Sequence, residues 1–492
     1  MSKVIKNTFI YMSGRLLPRF AMFLLLPVYT AFLTTAQYGI VNSMMVLNTL
    51  LLVIFTLAID RSIYRLYFDY KSEKGKKDFL GTVTVSLFII STIFLVILFL
   101  LKDLVTLIYQ SIDFYPFFVI AILTSYVSIF HIVPKIYYQI NNKAGTYIGI
   151  SLLQFVSSTM FILLFVVVLK KGVWGMLMGY LIGEAILLPL FLYIILKKTN
   201  ICFKTKILKE CLQFSLPIIP TALSAWILNL SDRIFIERFL TLSEVGIYSL
   251  GCRLSSLIAV VSSAFHFAYY PLYYSLANSE DQERAKRKLY LYNNSCLIIM
   301  ILMSFVVALF SKNLIEIFFP LDYYDSYKIM LIISFSYLLT AASSLLGLSF
   351  YQEKKTKELM FITVFGAVLN IILNFTLIPI FGMFGAAYAT NLSFLVLFII
   401  KYIYSKKCYF IPFDWKRIMS YFVPLSIITS AIYLININNI WLDLIIKIVV
   451  FLIVSLLVIW NNRLLICVLL KKKFSKYYVV DKLLQILDNN QE

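Results

Sequence analysis

Residues 32–40 read FLTTAQYGI and residues 239–247 read FLTLSEVGI, so one nine-residue motif occurs twice, 207 residues apart. Each copy joins two apolar stretches through a short turn that ends in Gly-Ile. A second pair, KGVWG at residues 171–175 and FGMFG at residues 381–385, is 210 residues apart. Because the two offsets agree within a small insertion or deletion, we predict that the chain contains two copies of one structural unit.

The composition is that of a membrane protein. Hydrophobic residues make up 61% of the 492 residues and charged residues 14%, whereas an average soluble domain has about 25% charged residues. A membrane-spanning helix needs about 20 predominantly apolar residues. We therefore predict an all-α polytopic membrane protein with about 14 transmembrane helices, near residues 9–33, 39–59, 80–101, 115–134, 147–169, 174–196, 212–240, 245–269, 290–310, 328–350, 359–380, 384–405, 417–435 and 441–461.

The position of the basic residues explains the formal net charge of +20. When both termini are placed in the cytoplasm, 33 of the 44 Lys and Arg residues, Lys135 among them, fall in inward-facing segments, and five fall in outward-facing ones. Cytoplasmic loops of membrane proteins carry such an excess of Lys and Arg. We predict a multi-pass protein with both termini cytoplasmic, and we expect no nucleic-acid partner.

The repeats divide the predicted helices into groups. We predict two six-helix bundles, residues 1–200 and residues 207–405, followed by two additional transmembrane helices at 417–461 and a basic cytoplasmic tail at 463–492. A repeat with an even number of spans keeps its orientation, so the bundles are parallel repeats about an axis along the membrane normal. In transporters built this way, the substrate site lies between the repeats.

Two arginines lie inside the first apolar stretch, Phe9 to Leu33. Arg15 and Arg19 are one helical turn apart, on one face of the predicted helix. An arginine near the bilayer centre costs about 2.5 kcal/mol or more, and such residues usually line a protein cavity or pathway. Arg253, in the eighth span, is also deep in the membrane. We predict that these three residues form one cationic cavity that binds an anion; for each of them the alternative is a structural ion with a partner.

Carboxylates also lie inside predicted spans. Asp232, Arg233 and Glu237 form a charged group in span seven. Arg233 and Glu237 have the i, i+4 spacing of an internal salt bridge, and a gate or cation-coupling role for the group is the alternative. Glu184 is the lone buried carboxylate of the first half, and it is a candidate for proton or sodium coupling.

Four further residues have less distinctive surroundings. Arg61 and Arg65 follow span two at its cytoplasmic end, where they are either a substrate entrance or interfacial residues. His131 and His266 have no ligand cluster near them in the sequence, and we expect them to be packed and hydrogen-bonded. The sequence contains no phosphate-binding loop of the G-x-x-x-x-G-K-[ST] type and no Cys/His metal cluster, so we predict no cofactor, and no enzymatic activity.

Five further segments are distinctive: LPVYT at 26–30, LQFSLPIIPTALSAWILNLSDRIFIERFL at 212–240, VGIYSLG at 245–251, LNIILN at 369–374 and GMFGAA at 382–387. They resemble the bacterial polysaccharide flippases of the multidrug, oligosaccharidyl-lipid and polysaccharide exporter superfamily. The resemblance implies two six-helix bundles around a cavity that opens alternately to each side of the plasma membrane. It also implies transport of undecaprenyl-pyrophosphate-linked repeat units for O-antigen, lipopolysaccharide or capsule, with a polysaccharide polymerase and glycosyltransferases as partners.

The related lipid II flippases are known for functional arginines in spans one, two and eight. Arg15, Arg19 and Arg253 match spans one and eight by location, whereas the arginines of span two, Arg61 and Arg65, lie only at its cytoplasmic end. A multidrug exporter and a lipid II flippase of the same superfamily remain alternatives. A membrane glycan polymerase or ligase is less favoured, because no outward loop is large enough to hold a catalytic site.

Overall fold

The computed structural model describes residues 18, 20–435, 437 and 439–461. In this part of the chain, thirteen helices are long and apolar enough to cross a membrane, and one shorter apolar helix precedes them. We label these helices α1 Phe20–Phe32, α2 Thr35–Thr56, α3 Glu73–Leu100, α4 Phe114–Ile140, α5 Ala144–Val168, α6 Gly172–Lys198, α7 Thr205–Leu230, α8 Leu242–Ala277, α9 Gln282–Phe318, α10 Leu321–Gln352, α11 Thr356–Phe381, α12 Met383–Ser405, α13 Trp415–Ile435 and α14 Ile440–Val458. Short helices at Ile59–Leu66 and Asp232–Phe239 join some of them. The prediction of an all-α polytopic membrane protein is confirmed.

The repeated motif starts α2 and α8 in the same way. Thr34 is the N-cap of α2; its hydroxyl accepts a hydrogen bond from the Gln37 backbone N–H, and the Gln37 side chain accepts one from the Thr34 N–H. Thr241 is the N-cap of α8, and its hydroxyl accepts from the Glu244 N–H at 3.3 Å. These bonds satisfy backbone donors that the first helical turn leaves without a partner. The motif therefore fixes where both helices begin.

The two glycines of the motif lie at the crossing of α2 and α8. A Cβ atom on Gly39 would lie 1.9 Å from the carbonyl oxygen of Leu242, and one on Gly246 would lie 2.0 Å from that of Thr35. The contact is symmetric, because Leu242 and Thr35 each precede the glycine of their own helix by four residues. The hydroxyl oxygens of Thr35 and Ser243 are 2.6 Å apart beside the crossing. Small residues allow membrane helices to approach closely, and here they bring the two backbones into contact.

The second repeated motif forms two equivalent corners. Gly172 begins α6 with a φ of 54°, and Gly382 precedes α12 with a φ of 61°. Glycine adopts these left-handed conformations without the steric cost that a Cβ atom adds. Both sequence repeats thus recur as structural repeats at the same offsets. The bundle boundaries 1–200 and 207–405 stay a prediction.

Further contacts surround the α2–α8 crossing. The Trp226 indole donates a hydrogen bond to the Thr49 hydroxyl at 3.0 Å, and the Tyr323 hydroxyl donates to the Leu33 carbonyl at 3.0 Å. The Arg238 guanidinium donates to the Leu107 carbonyl at 3.3 Å. The Tyr323 and Arg238 bonds join residues before 200 to residues after 207 near the end of α2 that is predicted to face outward, whereas the Trp226 bond joins them farther along α2, at Thr49. The crossing therefore closes the predicted outer end.

The connection between α6 and α7 is held against α3 by hydrogen bonds. The Asp78 carboxylate accepts hydrogen bonds from the Asn200 amide at 2.8 Å and from the Lys204 ammonium at 2.7 Å. The Asn200 backbone N–H donates to the Lys77 carbonyl at 3.1 Å. Its bond to Asp78 raises the pKa of Lys204. The connection is thus held at the end of α3 that is predicted to be cytoplasmic.

The chain divides into two compact units, Met1–Ile427 and Ile428–Glu492. In the second unit, the buried side chains of Asp443 and Lys447 on α14 form an ion pair with a 2.7 Å contact. The Lys447 ammonium lies 4.9 Å from the centre of the Tyr433 ring, a cation–π distance. An intramembrane lysine is costly unless it has such partners. The predicted tail at 463–492 lies outside the described residues.

The helix crossing yields a stability prediction. We expect Gly39→Ala to destabilise the protein by about 1–3 kcal/mol, because the new methyl group overpacks the crossing. Gly149→Ala is the matched control, since an added Cβ on this α5 glycine has no neighbouring atom within 4 Å. Thermal unfolding of the purified variants in detergent measures the effect. Equal unfolding midpoints for the two variants would contradict the close contact.

Candidate anion-binding site

A cavity of about 270 Å³ lies next to the α2–α8 crossing, on the side of the residues that follow Gly39 in α2 and Gly246 in α8. Its wall comes from α1, α2, α6, α7, α8 and α10 and from the short helix Asp232–Phe239, and therefore from both predicted bundles. The lining residues are Met22, Leu26, Tyr29, Tyr38, Asn42, Met45, Val46, Thr49, Met176, Tyr180, Asn229, Leu230, Arg233, Ser249, Cys252, Arg253, Ser256 and Tyr337. Tyrosine hydroxyls, amides and two guanidinium groups thus face a space that is otherwise apolar.

Arg253 supplies an unpaired positive charge to this cavity. It lies seven residues beyond Gly246 on α8, or about 10 Å along the helix axis, and its side chain is exposed to the cavity. Its guanidinium contacts the Met22 sulfur atom on α1. Among the described residues, no carboxylate forms an ion pair with Arg253. The role of Arg253 as an anion-binding residue deep in the membrane stays a prediction.

Arg233 also reaches the cavity wall, but its charge is compensated. Its guanidinium donates to the Asp232 carboxylate at 2.6 Å and to the Asn229 carbonyl at 2.7 Å, and it lies 5.1 Å from the centre of the Tyr248 ring. The Tyr248 hydroxyl donates to the other oxygen of Asp232. The expected salt bridge between Arg233 and Glu237 is therefore wrong, because the adjacent Asp232 takes the guanidinium instead.

Glu237 points toward the connection before α4. The Ser111 backbone N–H donates to one Glu237 oxygen at 2.5 Å. The other carboxylate oxygen, Oε2, is buried and has no hydrogen-bond partner among the described residues, and the residue is 2% exposed. Glu237 therefore joins the two predicted bundles near the outer end and is separate from the Asp232–Arg233 pair. A gate role for this group stays a prediction.

Glu184 lies in a second cavity of about 400 Å³ between α1, α2, α4, α5 and α6. Its carboxylate accepts a hydrogen bond from the Gln154 amide and lies 3.3 Å from Nδ1 of His131. The Gln154 amide also contacts the His131 Nδ1 atom, at 2.9 Å. His131 is packed and hydrogen-bonded, as expected, beside a carboxylate and an amide that come from other helices. The two cavities share Met22, Tyr29 and Tyr180 in their walls.

Lys135 belongs to the same cluster. Its ammonium donates to the Gln154 side-chain oxygen. The structure extends α4 to Ile140, beyond the predicted end of span four at residue 134, so Lys135 lies within the helix and its side chain turns toward α5. The i, i+4 spacing of His131 and Lys135 was the available sequence signal for a shared helix face. Gln154 gave no such sequence signal, since a single amide in an apolar span is common.

Arg61 and Arg65 lie apart from both cavities, on the short helix Ile59–Leu66 after α2. Both are exposed, and each is close to a carboxylate: Arg61 to Asp60 at 3.7 Å and Arg65 to Asp69 at 2.5 Å. Burial raises the pKa of Asp60, and the nearby Arg61 charge opposes the rise. Arg61 and Arg65 remain a candidate substrate entrance.

Two of the three predicted anion-binding arginines, Arg15 and Arg19, lie outside the described residues. Within the described part of the chain, no group of three or more His, Cys, Asp or Glu side chains is arranged to hold a metal ion. What the described cavity offers is one uncompensated guanidinium, one compensated guanidinium and several hydroxyl and amide groups. This set suits an anionic head group that also carries hydroxyl groups, since arginine binds phosphate oxygens with paired hydrogen bonds.

Comparison with known proteins gives a matching family and a distant relative. The family described as "polysaccharide biosynthesis protein" matches residues 28–328. A Haloferax volcanii protein named "probable low-salt glycan biosynthesis flippase Agl15" is 26% identical over 187 residues. That alignment covers 38% of this chain and 40% of the archaeal protein, so this chain is matched to less than half of the relative's length.

Solved structures show the same fold. The lipid II flippase MurJ in an inward closed conformation superposes with a TM-score of 0.74 at 18% identity, covering 94% of this chain and all of that one. The MATE multidrug transporter DinF-BH gives a TM-score of 0.59 at 17% identity, covering 82% of this chain and 95% of that one. At such identities the likeness concerns the fold alone, which is that of polytopic transporters.

The Asp232–Arg233 pair yields a second prediction. We expect Asp232→Asn to destabilise the protein by about 3–5 kcal/mol, because it leaves the Arg233 charge buried without its partner. The double variant Asp232→Asn with Arg233→Met should recover most of this loss. Asp322→Asn, at an exposed position, is the control and should change stability by less than about 0.5 kcal/mol. Thermal unfolding in detergent compares the three variants, and a double variant no more stable than Asp232→Asn would contradict the pairing.

Proposed function

We propose that this chain, which belongs to the polysaccharide biosynthesis protein family, moves a lipid-linked glycan from the inner to the outer leaflet of a bacterial plasma membrane. The substrate class is the undecaprenyl-pyrophosphate-linked oligosaccharide repeat unit of O-antigen, lipopolysaccharide or capsule. The family, the glycan flippase relative and the fold of polytopic transporters support this proposal. The protein acts as a transporter without catalytic residues.

One observation carries the proposal: the Arg253 guanidinium, which has no carboxylate partner among the described residues, faces a cavity between the two predicted bundles. A pyrophosphate offers the oxygens that a guanidinium binds with two parallel hydrogen bonds. Asn42, Thr49 and Asn229 lie on the same wall and can hydrogen-bond to sugar hydroxyls. In this proposal the head group occupies the cavity while the polyprenyl tail stays among the lipids.

Arg15 and Arg19 join Arg253 in the proposal on the strength of sequence spacing. Arg19 precedes the cavity residue Met22 by three positions and Arg15 precedes it by seven. Positions with this spacing share one face of a helix. Arg61 and Arg65 are proposed as the entrance, because they are exposed cations at the end of α2 that is predicted to be cytoplasmic.

Transport proceeds by alternating access in this proposal. The α2–α8 crossing closes the outer end, and its two halves must separate before the head group can leave. Asp232, Arg233 and Glu237 are proposed as parts of this gate, because Glu237 bonds to the Ser111 backbone across the predicted bundle boundary. The proposed partners are the polysaccharide polymerase and the glycosyltransferases that use and supply the lipid-linked glycan, and both termini are proposed to be cytoplasmic.

Replacement of Arg253 tests the function. We expect Arg253→Gln to reduce flipping by at least about tenfold, and Arg253→Lys to retain part of it, because lysine keeps the charge but not the paired hydrogen bonds. The measurement is the movement of fluorescent undecaprenyl-pyrophosphate-linked oligosaccharide across the bilayer of proteoliposomes. Arg287→Gln, an exposed arginine on the first turns of α9, is the matched control. Wild-type flipping by Arg253→Gln would overturn the proposed site.

The membrane potential tests the charge of the substrate. A pyrophosphate with about two negative charges gains on the order of 4–5 kcal/mol per 100 mV when it leaves a negative interior. We therefore expect a clamped potential, negative on the side where the substrate starts, to accelerate net transfer and a reversed potential to slow it. A transfer rate independent of the potential would contradict transport of a net negative charge.

A further inference from the structure

The Glu184 cluster lies where two membrane helices lose regular geometry. Residues Ile129–His131 of α4 form a 3₁₀ turn, and the first α-helical part of α6 ends at Ala185, directly after Glu184. Irregular backbone at membrane depth is tolerated where it lies within protein or lines a cavity, and a 3₁₀ stretch inside a helix often marks a functional site. Both irregularities line the 400 Å³ cavity.

The hydrogen bonds of this cluster allow two arrangements that differ by one proton. When His131 is neutral and carries its proton on Nε2, its Nδ1 atom accepts a hydrogen bond from the Gln154 amide, 2.9 Å away. When His131 is protonated, Nδ1 becomes a donor, and Glu184 Oε2 is the acceptor within reach at 3.3 Å. Gln154 then loses the imidazole as an acceptor. Because Gln154 also accepts from Lys135, the change extends to the Lys135 side chain.

We propose that His131 and Glu184 form a proton-binding site in the cavity of about 400 Å³, which adjoins the cavity of Arg253. A hydronium ion transfers one proton to Nδ1 of neutral His131 and becomes water, and the resulting imidazolium pairs with the Glu184 carboxylate. Histidine is suited to this role, because its unperturbed titration falls between pH 5 and 8. Nothing else in the cluster has to change its charge.

The charged groups around His131 shift its protonation equilibrium in opposite directions. Glu184, on α6, favours the imidazolium, and Lys135, on α4 itself, disfavours it. Tyr29 of α1 and Tyr180 of α6 face the same cavity as uncharged phenols. The other neighbours do not titrate: α6 places the Phe191 ring 5.9 Å from the imidazole, α5 supplies Gln154, and the remaining lining residues are uncharged.

Proton binding is linked to substrate binding by electrostatics, a step that rests on the proposed function. The cavity of Arg253 and the cavity of His131 share Met22, Tyr29 and Tyr180. A negative head group at Arg253 therefore favours the protonated form of His131. Linkage is reciprocal, so proton uptake at His131 strengthens binding of the anion. The site makes the affinity of the cavity for its anionic substrate depend on pH.

The chain is well suited to a direct test, because it contains only two histidines. The full-length protein, labelled with ¹⁵N-histidine and placed in lipid nanodiscs, gives two sets of imidazole signals by solid-state NMR, and His266→Asn assigns them. At pH 6 we expect Glu184→Gln to lower the ratio of protonated to neutral His131 by about tenfold, and Lys135→Met to raise it by about tenfold. Lys135→Arg, which keeps the charge, should leave the ratio near the wild-type value.

His266 is the internal control. It is buried in α8, its Nε2 atom has no hydrogen-bond partner in the part of the chain that the structure describes, and its ring stacks on Tyr270 with 5.3 Å between ring centres. Its signals should be the same in the wild type and in the Glu184 and Lys135 variants, and thermal unfolding confirms that each of these variants is folded. A His131 signal that stays constant from pH 5 to pH 9, or one that Glu184→Gln and Lys135→Met shift in the same direction, overturns the proposal.

A second arm tests the linkage with farnesyl pyrophosphate as a water-soluble probe. At fixed pH we expect this anion to raise the protonated fraction of His131 in the wild type and to leave it unchanged in Arg253→Gln. If farnesyl pyrophosphate does not change the protonated fraction of His131 in the wild type, the linkage is overturned. The NMR titration needs no transport, so failure of the flipping assay with an intact titration contradicts the proposed function alone.

Discussion

The contact between the backbones of α2 and α8 is the constraint on which the remaining structure depends. Gly39 and Gly246 each face a carbonyl oxygen of the opposite helix, at distances that exclude any side chain. Membrane helices gain little from the hydrophobic effect when they associate, so close packing of small residues and polar contacts hold them together. The Thr35–Ser243 contact adds a polar link at the same level. This crossing joins the two copies of the repeat and closes the cavity below it.

The crossing also determines the depth of the functional groups. Arg253 follows Gly246 by two helical turns and Asn42 follows Gly39 by three residues, so both face the space directly beneath the closed end. Charge is distributed unevenly around that space. Arg233 is neutralised by Asp232 and screened by Tyr248, whereas Arg253 has no carboxylate partner among the described residues. The second cavity adds a mutually bonded set, with Lys135 and Glu184 on either side of the Gln154 amide. Within the described part of the chain, the wall of the first cavity thus carries one guanidinium with a carboxylate partner, that of Arg233, and one without, that of Arg253.

Much of this arrangement could be predicted from the sequence, and the features that could not be predicted have physical causes. The repeated FLT-x-x-x-x-GI motif predicted a structural unit that occurs twice, because a turn depends on local residue types. The close α2–α8 contact was not predicted, since it depends on how distant segments pack. Hydropathy predicted the membrane helices, and the position of Arg253 followed from helical rise. The choice of partner for Arg233 did not follow, since Asp232 and Glu237 are both near in sequence and only the packing of Tyr248 favours Asp232. The cluster of His131, Gln154 and Glu184 was also missed, because its members come from three helices whose rotation about their axes the sequence does not specify.

The most direct test of alternating access at this crossing is a reversible cross-link. Thr35→Cys and Ser243→Cys, introduced together after replacement of the six native cysteines, place two thiols where the hydroxyl oxygens are 2.6 Å apart. Flipping of undecaprenyl-pyrophosphate-linked oligosaccharide is then measured in proteoliposomes with the pair oxidised and with it reduced. The account predicts that oxidation stops flipping and that reduction restores it, while either single cysteine has no effect. Undiminished flipping by the fully cross-linked protein would contradict an outer gate at the α2–α8 crossing.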